Sequence, residues 1–290
     1  MVSNHKKSFF RGWYLKHQAG SETISCIPSL HTDAYGNTTA FVQIITNQKS
    51  YLLTYKDFFI KKNSFYIRIG KNVFCTEGIF LDIPEIKCRG ALCYGDFTPL
   101  RYNIMGPFSI LKNMECNHGI LSLRHSITGQ LEINGKTISM NNGIGYIEKD
   151  WGTSFPSSYA WVQCNDFKEK AAVFVSAAKI PFCGSSFTGL IAVVYYKGKE
   201  YRFATYNGGK VLHCNARGFH IQRGSWDLVV NISAGTGHPL QAPVFGEMSR
   251  TIYERTSCSA NFIFSCHGNI IFNLHSNNAS FEYAPAKSNL

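Results

Sequence analysis

The sequence predicts an all-β protein of the sandwich or barrel type. Three observations carry that reading: short runs of alternating apolar and polar residues recur along the chain, tight-turn signals separate them, and no segment sustains a 3.6-residue apolar period. Composition agrees. Aromatic residues make up 14% of the 290, with 22 Phe and 15 Tyr, and ring-bearing side chains fit a pleated, half-buried surface. Apolar residues at 44% against 16% charged supply a core and exclude a disordered chain.

The elements follow in order. Residues 41–45 and 51–55 alternate on either side of the polar break 46–50 and predict a hairpin. Residues 64–69 and 73–75 flank Gly70-Lys71-Asn72. A strand starts at 121–125, and 131–133 with 137–140 enclose Asn134-Gly135, a strong two-residue hairpin signal. Residues 190–196 and 200–205 enclose Lys197-Gly198-Lys199, and four further runs, 226–232, 251–255, 261–266 and 270–274, complete the series. Helical turns are expected at 57–62 and 109–114. The loop-like break 141–145 at mid-chain predicts two domains, 1–143 and 144–290.

The net charge of +11, from 29 basic and 18 acidic residues, is spread thinly. Its densest clusters are pairs such as Lys6-Lys7 and Lys61-Lys62, so no nucleic-acid partner is expected. Peripheral attraction to an anionic membrane fits the charge better. The first residues hold no signal-peptide pattern, and no apolar run reaches about 18 residues, the length a membrane-spanning helix needs. A cytoplasmic chain with ten reduced cysteines is the expectation. There is no C-x-x-C, and His213-Cys214 and Cys266-His267 lack zinc-site spacing, so no metal is expected. G-x-S-x-G and Gly-rich phosphate loops are absent from the sequence.

Chemistry concentrates in residues 145–167, GYIEKDWGTSFPSSYAWVQCNDF. Glu148, Lys149 and Asp150 precede Trp151, with Phe155-Pro156, Tyr159, Trp161 and Gln163 beyond. On an extended strand Glu148 and Asp150 share one face, while Lys149 and Trp151 share the other. Two readings of the carboxylates stand open: a catalytic pair, or cross-strand partners of basic residues. Glu247, in an apolar region after Ala242-Pro243, is a third candidate acid.

These residues, with Phe10, Gly12, Trp13 and Tyr14 near the start, resemble the tocopherol cyclase family. The matches to its F-x-G-W-Y start, its central E-K-[ND]-W-G-x-x-F-P, its W-V-Q and its later A-P run in order over nearly the whole chain. Arg11 stands where the family pattern has an acidic residue, and Tyr159 where a Trp often precedes W-V-Q. The chain is more similar to a bacterial member than to plant members, which carry a plastid-targeting extension and longer loops.

The resemblance implies a fold of two lipocalin-like antiparallel β-barrel or sandwich domains, as in distantly related carotenoid hydratases. It also implies a cofactor-free enzyme of the intramolecular lyase or isomerase class that cyclises a prenylated quinol, a hydrophobic partner, to a chromanol. Alternatives are a non-catalytic isoprenoid or lipid carrier and a hydratase of an isoprenoid double bond. Cyclisation needs a proton for the alkene and stabilisation of the resulting cation. A desolvated carboxyl stays protonated, which makes Glu148, Asp150 and Glu247 the catalytic candidates. Aromatic faces attract cations by about 0.5–2 kcal/mol each. Trp13, Tyr14, Trp151, Phe155, Tyr159, Trp161 and Gln163 are the substrate-binding candidates.

Overall fold

A computed structural model describes residues 8–111, 114–182, 184–233, 235–245 and 247–286. Lys6-Lys7 lies outside them. The described chain is antiparallel β-structure with three short 3-10 helices, and its described cysteines are free thiols. Among the described residues no helix is long and apolar enough to cross a membrane.

The first sheet is barrel-like and comprises β1 (Phe9–Ala19), β2 (Glu22–Thr32), β3 (Thr38–Thr46), β4 (Ser50–Tyr55), β5 (Phe58–Ile60), β6 (Tyr66–Ile69), β7 (Asn72–Cys75), β8 (Gly78–Ile83), β9 (Cys88–Tyr94), β10 (Cys116–Ile133), β11 (Lys136–Ser139) and β12 (Gly143–Gly152). Its order is β4-β3-β2-β1-β12-β10-β9-β8-β7-β6-β5, with β11 beside β10. The Asn134-Gly135 hairpin forms with both residues at positive φ, 52° and 80°, as a type I′ turn requires. Residues 57–62 are not a helical turn: β5 pairs Phe58 with Ile69, so strand pairing overrides the local pattern. At 109–114, a 3-10 helix covers Gly106–Ile110.

The second sheet comprises β13 (Tyr159–Cys164), β14 (Ala171–Phe182), β15 (Ser185–Tyr196), β16 (Lys199–Ala204), β17 (Lys210–Asn215), β18 (Gly218–Arg223), β19 (Trp226–Ile232), β20 (His238–Val244), β21 (Glu247–Cys266) and β22 (Asn269–Ala284). Its order is β16-β15-β14-β13-β22-β21-β19-β18-β17, with β20 beside β21.

The chain divides into two compact units, but not at residue 143. Unit 1 is Met1–Leu100, Cys116–Ser154 and Gln241–Arg250; unit 2 is Arg101–Glu115, Phe155–Leu240 and Thr251–Leu290. The reason lies in pairing: β12, expected to open the second domain, is hydrogen-bonded between β1 and β10 of the first sheet. The late segment 241–250 joins unit 1 through Gln43, whose amide donates to the Gln241 carbonyl at 3.1 Å and accepts from its N–H at 3.0 Å.

Each unit has its own apolar core. In unit 1 the core-side residues include Trp13, Leu15, Ile44, Ile67, Phe74, Leu131 and Ile147. In unit 2 they include Ala160, Val162, Val173, Val175, Phe262, Phe264 and Phe281. Burying each large side chain contributes about 1.5–3 kcal/mol. Because side chains alternate along a strand, the neighbours of these residues point to the opposite face of the same sheet. On β12 and β13 that second face is buried as well, and it is polar.

Candidate functional site

The central strand β12 puts Tyr146, Glu148 and Asp150 on the face away from the unit 1 core, as the i, i+2, i+4 alternation requires. Glu148 and Tyr146 are buried there, at 5% and 0% exposure. The neighbouring strand β10 sets His118 directly opposite Asp150, and the imidazole bridges the two acids. Its Nδ1 donates to Asp150 Oδ1 at 2.7 Å, and its Nε2 faces Glu148 Oε2 at 3.5 Å. Burial alone would lower the His118 pKa; the Asp150 and Glu148 carboxylates and the Asp150 hydrogen bond outweigh it and raise the value to about 9. At neutral pH His118 is therefore an imidazolium.

Glu148 has a second partner. The Tyr146 hydroxyl donates to its Oε2 at 2.5 Å. Burial, then the Glu148 charge, holds the Tyr146 phenol well above its ordinary range, so it stays a donor. Tyr14, opposite Glu148 on β1, accepts a hydrogen bond from Ser25 Oγ at 2.9 Å. Gly12 sits opposite Asp150 on one side and Ser29 on the other. A Cβ at Gly12 would meet only the Ser29 Cβ, at 3.4 Å. So a small side chain at position 12, across the register from Asp150, would meet little.

The other face of β12 carries Lys149 and Trp151, as the alternation predicts. Lys149 Nζ lies 5.3 Å from the Trp13 ring centre and 5.0 Å from that of Trp151. Burial, with the nearby Arg11 charge, lowers the Lys149 ammonium below the ordinary lysine range. Trp13 and Trp151 thus occupy the face opposite the carboxylates and already hold a cation of the chain itself. The expectation that these indoles flank the acid pair meets a geometric obstacle: odd and even positions of one strand cannot share a face.

Four other candidates lie in unit 2. The Phe155 ring meets the Tyr159 ring edge-on at 6.0 Å. Tyr159, Trp161 and Gln163 share the non-core face of β13, and the Tyr159 hydroxyl donates to Glu282 at 2.7 Å. Glu247 is exposed at the first position of β21. Among the described residues no hydrogen bond or ion pair joins it to His118. His125 on β10 is buried at 3% exposure; its Nδ1 hydrogen-bonds with Ser122 Oγ at 3.0 Å.

Sequence reasoning missed His118. Tyr146 was legible, since it continues the Glu148–Asp150 alternation by one step. Among the described residues, His118, Glu148 and Asp150 are also the group whose ligand atoms, all within 4.8 Å of one another, come close enough for a metal. As placed, the three are also arranged as an ion triad, with His118 Nδ1 2.7 Å from Asp150 Oδ1 and Nε2 3.5 Å from Glu148 Oε2.

A family model described as tocopherol cyclase-like matches residues 85–282. A probable chloroplastic tocopherol cyclase of Oryza sativa subsp. japonica is 29% identical over 129 residues, 43% of this chain and 27% of that protein. The chloroplastic tocopherol cyclase of Zea mays is 26% identical over the same extent. The chain thus matches about a quarter of the length of these relatives. Among solved structures, CghA bound to Sch210972 aligns with a TM-score of 0.64 at 9% identity, covering 96% of this chain and 89% of that one. Kievitone hydratase from Nectria haematococca aligns at 0.53 and 10%, with the same coverages. These two likenesses concern the fold. With the family model matching residues 85–282, well over half of the chain and including the central motif, the chain belongs to the tocopherol cyclase-like family.

Proposed function

We propose that this protein is an enzyme that protonates the double bond of a prenylated quinol and closes it to a chromanol. The observation that carries the reading is the Glu148–His118–Asp150 triad, a buried proton reservoir on the strand that also carries the family's central motif. Two names add support: the rice and maize relatives are tocopherol cyclases.

In this reading the His118–Asp150 pair holds the transferable proton across its 2.7 Å contact, opposite Gly12 in the strand register. The alkene takes that proton at its less substituted carbon, which leaves a tertiary cation. The cluster, now one positive charge poorer, stabilises that cation electrostatically. The phenol oxygen attacks, the C–O bond forms, and the phenolic proton returns to the pair. No oxidant or reductant enters, and the proton count is restored. Glu148, fixed by Tyr146, positions the imidazole and balances its charge. Tyr14, opposite Glu148, borders the same face and would contact the substrate. The stabilisation assigned earlier to indoles passes here to the carboxylates.

The test is incubation of the purified protein with 2,3-dimethyl-5-phytyl-1,4-hydroquinone, with products read by mass. A chromanol of unchanged mass supports cyclisation, and its loss in His118→Gln ties it to the triad. A product heavier by one water would mean that water, not the phenol, captures the cation. No conversion of any prenyl quinol by a folded, quinol-binding protein would overturn the enzyme reading.

A further inference from the structure

The core face of unit 1 ends in two cations that no acid balances. Arg11 on β1 and Lys149 on β12 sit diagonally across one strand pair, because Arg11 is opposite Trp151 and Trp13 is opposite Lys149. Diagonal neighbours are within reach of long side chains. Among the described residues neither cation forms a hydrogen bond or an ion pair. Lys149 Nζ has the Trp13 and Trp151 rings as its partners, and Arg11 lies 5.8 Å from the Phe9 ring with its buried Nε unpartnered. Arg202 shows how this chain settles a structural guanidinium: it donates to Glu200 at 2.9 Å and to the Tyr102 carbonyl at 2.8 Å. Arg11 has no such arrangement.

The neighbours define what would complete the pair. Burial, and then the Arg11 charge, lowers the Lys149 ammonium, so the two charges feel one another. The register adds no acid: Leu30 on β2 is opposite Arg11, and Asn117 on β10 is opposite Trp151. Opposite Lys149 stands Gly119, where a Cβ would have, beyond its chain neighbours, only the Trp151 ring within 4 Å, at 3.4 Å. Room is therefore open beside the ammonium. Arg11, Lys149 and Trp151 are all partly exposed, so an entering ion need not cross the core. What is missing is negative charge. A carboxylate would balance one cation. A phosphate monoester carries close to two negative charges at neutral pH; it balances both and offers oxygens to the guanidinium fork and to the ammonium. Arg11 stands where the family pattern has an acid, so the doubled charge is this chain's own.

We propose that Arg11 and Lys149 form an oxyanion site at the partly exposed end of the unit 1 core face, and that it takes the phosphate of a monoester between the two cations, beside Gly119. The site lies on the face of β12 away from the His118 cluster. It does not rest on the reaction proposed above, because binding is read without turnover.

Isothermal titration of the full chain with phenyl phosphate at pH 7.5 tests it, with benzoate as the singly charged contrast. Saturable binding is expected, at least tenfold tighter than that of benzoate. Arg11→Gln and Lys149→Gln should each weaken it tenfold or more. Neither should melt lower than the parent, since each removes an unbalanced charge. A variant with both Lys61→Gln and Lys62→Gln loses two charges from an exposed pair and should bind within twofold of the parent. In the unaltered chain the Lys149 ammonium, followed by NMR, should titrate higher once the ester is bound. Phosphatidylcholine vesicles with one-fifth phosphatidic acid separate the sources. Capture that both single variants abolish assigns the phosphate to a lipid headgroup; no capture beside tight ester binding assigns it to a soluble ester, and either upholds the site. Absent or benzoate-like binding would overturn the proposal, as would unaltered binding in both single variants or an equal loss in the Lys61 and Lys62 control. So would a clear fall in the melting temperature of either single variant, or a Lys149 titration that phenyl phosphate leaves unmoved.

Discussion

β12 in unit 1 and β13 in unit 2 are built alike and finished differently. Both are central strands, both send one set of side chains into an apolar core, and both carry a polar set on the opposite face, buried except for the half-buried Asp150. On β12 that set is Tyr146, Glu148 and Asp150, tied to each other or to His118 by short contacts. On β13 it is Tyr159, Trp161 and Gln163, with one carboxylate contact from Tyr159 and an amide without a partner. The first is a set of charges that compensate one another and can move a proton. The second is a set of rings and a neutral amide. The same alternation of a β-strand therefore yields a charged cluster in one unit and an aromatic face with a neutral amide in the other, according to which residue the neighbouring strand contributes.

The comparison breaks first at His118. His118→Gln keeps a hydrogen-bonding side chain but removes the imidazolium, and chromanol formation should fall by about 10²–10⁴, the usual worth of a positioned acid. A loss under threefold, measured as initial rate on a folded variant, would remove β12 from the chemistry.

Stability against pH is the next lever. His118 is raised to about 9 in the fold from an ordinary 6.5, by the two carboxylates against the cost of burial. Its contribution, about 3 kcal/mol, is fully present below about pH 6.5 and lost as pH rises through about 9. His17 and His125 behave oppositely. Burial lowers them to about 4 and about 3, so they are neutral in the fold, and their contribution is lost as pH falls from 6.5 towards 4. Denaturant titrations across pH should show both flanks, and His118→Gln should flatten only the alkaline one. A variant that retains the alkaline flank would assign it to another group.

Gly12→Val should then cut turnover by roughly tenfold or more while the protein still folds, because the added methyls enter the open position across the register from Asp150. Unchanged kinetics would place the substrate elsewhere. The smallest expected effect sharpens the contrast between the two buried amides. Gln43→Leu removes both hydrogen bonds to the Gln241 backbone and should cost about 1–3 kcal/mol, whereas Gln163→Leu should cost nothing measurable. Equal costs would mean that Gln163 has a structural partner after all.

Much of the fold was legible because alternation is a local property. The hairpin of β3 and β4, the Asn134-Gly135 turn and the pairing of β15 with β16 are all written in a few consecutive residues. The domain boundary was not, because β12 is held by β1 and by β10, whose own positions no local pattern gives. The site divides the same way. That Glu148 and Asp150 share a face, and that Lys149 and Trp151 share the other, follows from strand geometry. His118 was hidden because its partnership with Asp150 spans 32 residues and depends on the register of two strands. Without the imidazole, the sequence reading rests on an apolar site to keep a carboxyl protonated; Glu247, its weaker third candidate, is exposed.

The most direct test is an NMR titration of the His118 imidazole nitrogens in the full chain. The proton bridge predicts an imidazolium at pH 7.5 that titrates near 9 and moves down in Asp150→Asn. An imidazole that is neutral at pH 7.5, or one that keeps its pKa in Asp150→Asn, would contradict it.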